Sequence, residues 1–532
     1  MTQTSDANLI DRFLRGLNRI RHFIGGQARG MDGLAAYDHG FHVLSPVPLP
    51  APQPPIPLLL GLAPEGSALS VCPQSPPPIW LPEYCNLTDL GNARRMARLY
   101  GADLRYVGAS KHWLIWDGTR WTVDDTGAVE RLAKETVRQM YLYASATKDG
   151  RERSDLIRWA LNSESRTRLL AMIDLAKSEE GIAISPDQPD QGPMLLNVAN
   201  GTIDLRSGRL RPHRREDLIT KLAPVTYDAN ATSPTWDRFL AQIMSGNDGL
   251  LRFLQKAVGY ALTGDTSEQV IFILHGEGAN GKSTFLSTVA AVLGDYARQT
   301  PVDTLLASHG TKIPNDLARL NGARFVTAAE AEHGHRMAEG LVKQITGGDK
   351  VAARFLYAEF FEFEPTFKVF LATNHKPLIE GTDYAIWRRI RLVPFTVTIP
   401  EDEQDKALAS KLRQELPGIL RWAVEGCLAW QREGLDVPPE VQAATAAYRA
   451  DTDRVGRFLE DCCVLDPSAQ TRAGELHDAY RSWCDANGED CESAKALRAR
   501  LGERGFERHR DKHGRFYRGL ALKGTRGTGE DR

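Results

Sequence analysis

Eight residues near the middle of the chain have the spacing of a phosphate-binding loop: Gly276-Glu277-Gly278-Ala279-Asn280-Gly281-Lys282-Ser283. The apolar run from Val270 to Leu274 precedes them and a helix-like sequence follows, which is the context that this pattern requires. Glycines at both ends let backbone N–H groups surround a phosphate chain, Lys282 adds positive charge, and Ser283 offers a hydroxyl to Mg²⁺. We therefore expect ATP and Mg²⁺ here. The candidate nucleotide-binding residues are Gly276, Gly278, Asn280, Gly281, Lys282, Ser283 and Thr284.

Two acidic residues follow a second predicted strand. The apolar sequence Arg324 to Ala329 leads into Glu330 and Glu332. In enzymes that transfer phosphoryl groups, an acid at such a strand end holds Mg²⁺ and polarises the attacking water. We assign this role to Glu330, with Glu332 in support. The alternative is that both acids are only solvated.

Polar residues also stand at the ends of two later strands. Asn374 follows the buried-type strand that begins at Phe367, where its amide fits a γ-phosphate sensor. An asparagine there is also a common turn former. Arg388 and Arg389 precede another apolar strand, and an arginine at that point could neutralise transition-state charge on a neighbouring subunit's nucleotide. A solvated strand edge is the alternative.

The order of these motifs resembles the superfamily 3 helicases. Between the acidic strand and Arg388 lie Gly347-Gly348-Asp349-Lys350 and Ala372-Thr373-Asn374-His375-Lys376-Pro377. More narrowly, the sequence is similar to the helicase portion of phage and plasmid primase-helicases, which are related to the poxvirus primase-helicase. The resemblance covers roughly residues 86 to 450, because the segment Asn200 to Leu205 is similar to the helical domain that precedes the motor in that family.

The resemblance implies an α/β fold with an AAA+-like P-loop ATPase core and roles for the residues that match the family's motifs. Lys282 and Ser283 would bind phosphate and Mg²⁺, Glu330 would be the catalytic acid, and Asn374 the first sensor. Arg389 matches the arginine that acts across subunits, with Arg388 as its rival.

The resemblance also implies a DNA-gripping hairpin, here Lys350 to Phe361, in the central channel of a ring. The family's hairpin tip is usually basic, whereas this tip is Phe355-Leu356-Tyr357. An aromatic tip can stack on bases while neighbouring cations contact phosphates. The candidate residues for binding single-stranded DNA are Lys350, Arg354, Phe355 and Tyr357.

The remaining sequence predicts the elements that position these residues. We expect an amphipathic N-terminal segment (1–44), a proline-rich linker (45–85), a mixed, mainly helical domain (86–235), the ATPase domain (236–400), a helical lid and connector (401–465), a basic winged-helix-like domain (466–525) and a tail (526–532). A Trp113 to Val123 hairpin, a second hairpin about Asn200-Gly201, and a helical stretch from Trp236 to Leu262 are predicted within them.

The C-terminal region is locally basic. Two predicted helices, Leu476 to Cys484 and Ser493 to Leu501, precede two short strands, which is a winged-helix layout. We expect Arg508, Arg510, Lys512 and Arg515 in this region to bind duplex DNA, although charged runs are often solvated surfaces.

Composition limits the alternatives. The 532 residues carry a formal net charge of −2, which excludes a uniformly basic nucleic-acid coat. No CxxC pair occurs among the seven cysteines, so we expect no zinc site, and no apolar run is long enough to span a membrane. We expect a protein of the cytoplasm, most simply that of a bacterial host cell.

These observations favour a ring-forming, ATP-dependent DNA helicase that acts in the replication of a phage, plasmid or integrated mobile element. We expect the ring to be a hexamer. One alternative is a DNA-stimulated ATPase that loads or initiates replication without processive unwinding. Another is a DNA-binding protein switched by nucleotide. The first 85 residues are too short and too rich in proline for a primase domain, so we predict that this chain cannot prime and count a separate primase as a candidate partner.

Overall fold

The computed structural model describes residues 86–307, 315–329, 335–356, 359–379, 381, 384–512 and 514–523. The predictions for residues 1–85, for Glu330, Glu332 and Tyr357, and for the tail 526–532 lie outside these residues. Within them, no helix is both long enough and apolar enough to cross a membrane.

The first part of the described chain combines four helices with a small sheet. Thr88 caps the first helix by accepting a hydrogen bond from the Gly91 N–H, and Asp149 caps the third in the same way. The predicted tryptophan hairpin is present, and Trp121 lies in the core. The elements are α1 Asp89–Tyr100, β1 Leu104–Val107, β2 His112–Trp116, β3 Trp121–Val123, α2 Ala128–Ala146, α3 Gly150–Ser163, α4 Arg166–Ala176 and β4 Ala183–Ile184, with strand order β3-β2-β1-β4.

A second antiparallel sheet and two helices lead to the ATPase region. The predicted hairpin about Asn200-Gly201 is present as β5 and β6, and the stretch predicted as helical from Trp236 to Leu262 forms two helices. It is broken because Ser245 and Gly246 adopt positive φ and Asn247 caps a new helix. The elements are β5 Leu195–Val198, β6 Gly201–Asp204, β7 Arg209–Arg211, α5 Pro234–Ile243 and α6 Asp248–Ala261.

A five-stranded parallel sheet forms the centre, with strand order β14-β8-β13-β10-β9. Alternate side chains of its strands enter two separate cores, so Phe272 and Phe370 face α5 and α6 while Ile273 and Leu371 face the other side. Burial on both faces explains why the central strands β8, β10 and β13 are mostly apolar. The strands are β8 Ile271–His275, β9 Ala297–Gln299, β10 Phe325–Ala329, β13 Lys368–Thr373 and β14 Ile390–Pro394.

Helices and a two-stranded hairpin surround this sheet. Glycines allow α6 and α12 to cross closely, because a Cβ on Gly259 would lie 2.0 Å from the Cys427 nitrogen. The elements are α7 Lys282–Leu293, α8 Asn315–Ala318, α9 Glu339–Gly347, β11 Val351–Ala353, β12 Phe361–Phe363, α10 Tyr384–Trp387, α11 Leu408–Gln414, α12 Leu416–Glu433 and α13 Pro439–Thr452.

The C-terminal unit has three helices and a three-stranded antiparallel sheet of order β15-β17-β16. Val455 and Phe458 of its first helix share one core with Leu476 and Tyr480. The expected boundary between residues 465 and 466 therefore falls inside a strand, and this unit begins at α14. The elements are α14 Arg454–Cys462, β15 Cys463–Arg472, α15 Ala473–Asn487, α16 Ala494–Glu503, β16 Arg508–Asp511 and β17 Gly514–Leu522.

Candidate functional site

The predicted phosphate loop connects β8 to α7, and close backbone packing fixes its path. A Cβ on Gly276 would lie 2.0 Å from the Phe395 carbonyl oxygen, and one on Gly281 would lie 2.6 Å from a methyl group of Ile243. Gly281 also has φ of +81°. A Cβ on Gly278, by contrast, would meet no atom within 4 Å. Gly276 and Gly281 are therefore required by the loop geometry, and Gly278 is not.

This contrast predicts different results for two alanine variants of the loop. Gly276→Ala should weaken nucleotide binding at least about tenfold, because the loop must move away from Phe395 to admit the methyl group. Gly278→Ala adds the same methyl group in open space and should change the affinity by less than about twofold. Titration with a fluorescent ATP analogue measures both, and equal affinities for the two variants would contradict this account of the loop.

Lys282 lies at the centre of the loop. Its Nζ donates hydrogen bonds to the Gly276 carbonyl at 2.6 Å, the Asn374 Oδ1 at 3.0 Å and the Glu277 carbonyl at 3.3 Å. The side chain is 6% exposed, and this burial lowers the pKa of its ammonium group. The structure thus brings together Lys282 and Asn374, two residues that stand 92 positions apart in the sequence.

The beginning of α7 fits the phosphate and Mg²⁺ expected there. Ser283 lies in the first helical turn with its side chain exposed, and Thr284 beside it is half-buried. The Asn280 side-chain amide donates to the carbonyls of Glu277 and Phe395, which holds the loop against β14. The helix N-terminus, the free face of the loop and the Ser283 hydroxyl suit an anionic ligand with a bound cation.

Sheet register places the ends of three strands at this same edge. Thr373, which precedes Asn374, pairs with His275 at the start of the loop. Ala329, at the end of β10, pairs with Ala372. Glu330 follows Ala329 in the sequence, and both Glu330 and Glu332 lie outside the described residues, so their catalytic assignment stays a prediction.

Sequence reasoning missed two basic residues near this edge. Burial lowers the pKa of the His275 imidazole, and the nearby charges of Lys376 and Lys282 lower it further. Lys376 in turn pairs with Asp451 of α13, with Nζ and Oδ2 3.0 Å apart. Because the His275 pKa is lowered, Lys376 rather than His275 supplies positive charge beside the loop, and Asp451 partly offsets that charge. Their sequence signals were that His275 ends an apolar strand and that Lys376 stands in the motif that follows another.

Arg388 and Arg389 lie at the opposite end of the sheet, where its strands begin. Pro394 pairs with His275 and Ile390 pairs with Ile271, so one strand length, about 16 Å, separates the arginines from the loop of their own subunit. An arginine side chain does not span that distance. Either residue would therefore need a second subunit to reach a nucleotide.

The two arginines differ in exposure. Arg389 is 8% exposed, and its guanidinium donates to the Thr346 Oγ1 at 3.0 Å and to the Ala385 carbonyl. Arg388 is exposed, and its guanidinium donates to the Gln269 side-chain oxygen at 2.7 Å. The geometry thus favours Arg388, the rival in the sequence interpretation, as the arginine that can be presented to another subunit.

The segment predicted as a DNA-gripping hairpin is a β-hairpin. Val351 pairs with Phe363 and Ala353 with Phe361 in antiparallel register. The Arg354 guanidinium lies 4.6 Å from the centre of the Phe360 ring. The side chains of Lys350, Phe355, Leu356 and Phe360 are exposed. Tyr357 lies outside the described residues.

Like charges face each other on the C-terminal sheet. Arg510 pairs directly with Arg515, and Arg508 pairs with Tyr517. The side chains of Arg510, Lys512 and Arg515 are exposed, and that of Arg508 is half-buried. Among the residues that the structure describes, none of these four cations forms an ion pair with a carboxylate. Facing like charges destabilise a sheet unless an anion lies between them, so this surface suits a polyanion.

Three family models match separate regions of the chain. Family models described as "D5 N terminal like" and "Poxvirus D5 protein-like" match residues 93–245 and 450–517. Over these two regions the chain is thus similar to D5-like proteins. A model for a family of unknown function matches residues 274–389 of this D5-like chain. The match from residue 450 begins close to α14, where the C-terminal unit starts.

Relatives of this D5-like chain occur in large DNA viruses. A candidate helicase of Acanthamoeba polyphaga mimivirus is 25% identical over 73% of this chain and 44% of its own length. A candidate helicase of Frog virus 3 is 26% identical over 57% and 40%, and a candidate primase of African swine fever virus 25% identical over 56% and 34%. The chain thus spans less than half the length of these relatives.

Among solved structures, the NrS-1 C-terminal region is similar to this D5-like chain. The TM-score is 0.43 at 7% identity, and the match covers 78% of this chain and 94% of that one.

Proposed function

We propose that this chain is an ATP-dependent DNA helicase that acts in DNA replication. The observation that carries the proposal is which residues lie at the two ends of the strands in the central sheet. The carboxyl ends of the strands carry the phosphate loop, with Lys282 hydrogen-bonded to Asn374. The amino ends carry an exposed Arg388. The names of the viral relatives support a replication role of the primase-helicase type. The phage, plasmid or mobile-element setting stays a prediction.

In this proposal the core is an AAA+-like P-loop ATPase. The loop N–H groups, Lys282 and Ser283 hold the triphosphate, and Asn374 orients its terminal phosphate. Glu330, supported by Glu332, accepts a proton from the attacking water. Mg²⁺, held by Ser283 and Glu330, would neutralise charge on the phosphate oxygens. Asn374 already contacts Lys282, so a terminal phosphate that draws the lysine away would also release the asparagine.

The proposed assembly is a ring, with a hexamer as the expected form. Arg388 cannot reach the loop of its own subunit across the sheet, so hydrolysis is completed by Arg388 of the next subunit around the ring. An arginine supplied in this way contributes about 10³-fold or more to phosphoryl transfer. Because each nucleotide then lies between two subunits, its hydrolysis changes how they contact each other.

DNA is proposed to bind at two places. The β11–β12 hairpin would grip a single strand in the ring's channel, with Phe355 and Phe360 stacking on bases and Lys350 and Arg354 contacting phosphates. The C-terminal unit would be a winged-helix domain that binds duplex DNA through the facing arginines of β16 and β17.

Strand displacement on forked DNA tests this function. We expect ATP hydrolysis that DNA stimulates and strand separation that requires hydrolysable ATP. Hydrolysis without separation would instead support a replication loader, and slow turnover that ignores DNA would support a nucleotide switch. We also expect no primer synthesis by this chain on a single-stranded template, which incorporation of labelled nucleotides measures.

A further inference from the structure

The β6–β7 hairpin and the residues after it form a strongly basic segment. Residues 206 to 215 carry five arginines and a histidine, and no acidic residue: Arg206, Arg209, Arg211, His213, Arg214 and Arg215. The whole chain has a formal net charge of −2, so the segment is a local excess. It lies in the part of the chain before the ATPase core, far in sequence from the β11–β12 hairpin and from the C-terminal unit.

Two of the five arginines are partnered and fix the local structure. Arg211 makes two contacts with the Asp217 carboxylate at 2.7 and 2.8 Å. Arg215 pairs with Asp103 and lies over the Trp116 ring. Arg211 and Arg215 therefore have a structural role.

The other three, Arg206, Arg209 and Arg214, have no such explanation. All three side chains are exposed. In the described ranges, none of their guanidinium groups forms an ion pair or a hydrogen bond. Arg214 follows Arg209 by five positions, which limits the distance between their Cα atoms to about 18 Å. We call these three residues the arginine surface.

The backbone that carries the arginine surface is anchored to α12, which packs against α6 of the ATPase region, and to Tyr227. Gln431 of α12 donates to the Leu205 carbonyl at 2.7 Å, and the Tyr227 hydroxyl donates to the Gly208 carbonyl at 3.3 Å. Gly208 has φ of +70° and lies against Leu428 of α12. A ligand on this surface would therefore be held by a structured support attached to the motor.

We propose that the arginine surface binds the phosphate backbone of DNA, as a contact additional to the hairpin and the C-terminal unit. Arginine forks match phosphate oxygens in geometry as well as in charge. The aromatic residues that these contacts place nearby are Trp116, which is half-buried and covered by Arg215, and Tyr227, which is half-buried with its hydroxyl bonded to the Gly208 carbonyl. The surface thus offers phosphate contacts without a platform for stacking bases, which suits sequence-independent binding. The inference rests on the proposed function in taking DNA as the partner.

The test compares two triple variants of the full chain. The first variant removes the arginine surface with Arg206→Gln, Arg209→Gln and Arg214→Gln. The second variant is the control. It removes the same charge from exposed positions of α3 with Arg151→Gln, Arg153→Gln and Arg158→Gln, where Glu152 and Asp155 are interleaved. Affinities for single-stranded, duplex and forked DNA are measured over a range of salt concentrations without nucleotide, beside ATP hydrolysis without DNA.

We expect the arginine-surface variant to bind at least one DNA form about tenfold or more weakly at low salt. On duplex DNA, the slope of log affinity against log salt should fall by about 0.9 for each lost phosphate contact. The α3 variant should bind like the wild type, and both should keep the hydrolysis rate measured without DNA. The DNA form that is affected identifies which arm of a fork lies on the surface.

Equal losses in both variants would overturn the inference, because they would show an effect of net charge alone. Wild-type binding by the arginine-surface variant would also overturn it and leave the proposed function standing. If the wild-type protein itself bound no DNA, the proposed function would fail as well.

Discussion

Lys282→Ala is expected to lower the rate of ATP hydrolysis at least about a hundredfold, the loss typical when a preorganised positive group is removed from the site of developing charge. The Nζ is held by the carbonyls of Gly276 and Glu277 and by Asn374, so it is already aimed at the space that the loop encloses. Phosphate release under saturating ATP measures the effect. Strand displacement should disappear with hydrolysis.

A control separates catalysis from folding. Lys406→Ala removes an exposed lysine that precedes α11, away from the loop, and should hydrolyse ATP at the wild-type rate. A thermal unfolding curve for Lys282→Ala should show a folded protein, because the change removes hydrogen bonds at one loop and no part of either core. Normal turnover by Lys282→Ala would remove the nucleotide site from this account.

Arg388→Ala is expected to bind ATP normally and to hydrolyse it about 10³-fold more slowly. The side chain is exposed, so its loss should change the free energy of unfolding by less than about 0.5 kcal/mol. Nucleotide titration, phosphate release and thermal unfolding on one preparation measure the three quantities. A variant with unchanged turnover would exclude Arg388 as the residue that acts across subunits.

Arg389→Ala is the matched neighbour, and its main effect should be on stability. It loses hydrogen bonds from a buried guanidinium to Thr346 and Ala385, which should cost about 1.5–3 kcal/mol of unfolding free energy. If instead Arg389→Ala were stable and inactive while Arg388→Ala were active, the original assignment from the family resemblance would be correct.

Local features of the sequence were sufficient to predict several parts of the structure. The phosphate loop could be recognised because its glycines, its lysine and the strand before it are contiguous. The Asn200-Gly201 hairpin and the tryptophan hairpin were predicted from turn residues between short apolar runs. The α/β character was implied by the family resemblance, and the structure confirms it with a parallel central sheet.

Other features depend on contacts between distant residues. Nothing local shows that Arg389 is buried by Thr346 while Arg388 is exposed, since the two are adjacent and chemically identical. The strand β15 lacked a clear apolar pattern because most of its side chains are exposed, and its pairing with β17 spans some fifty residues. The helix break at Ser245 arose from a non-glycine residue in a left-handed conformation, which sequence patterns rarely reveal.

The arginine surface shows a different limit. The excess of arginines is visible in the sequence, but only the structure separates the arginines paired with Asp217 and Asp103 from those left exposed. Counting charges therefore gave no reason to select this segment over others.

The central claim is that ATP bound in one subunit is cleaved with the help of Arg388 from another. Mixing Lys282→Ala and Arg388→Ala subunits before assembly tests it most directly, because each variant retains the part that the other lacks. Each should be inactive alone. In an equal mixture, roughly a quarter of the subunit contacts should combine an intact loop with an intact arginine, so ATP hydrolysis should reappear. A mixture that stays as inactive as its components, although the two variants are shown to assemble together, would contradict the claim.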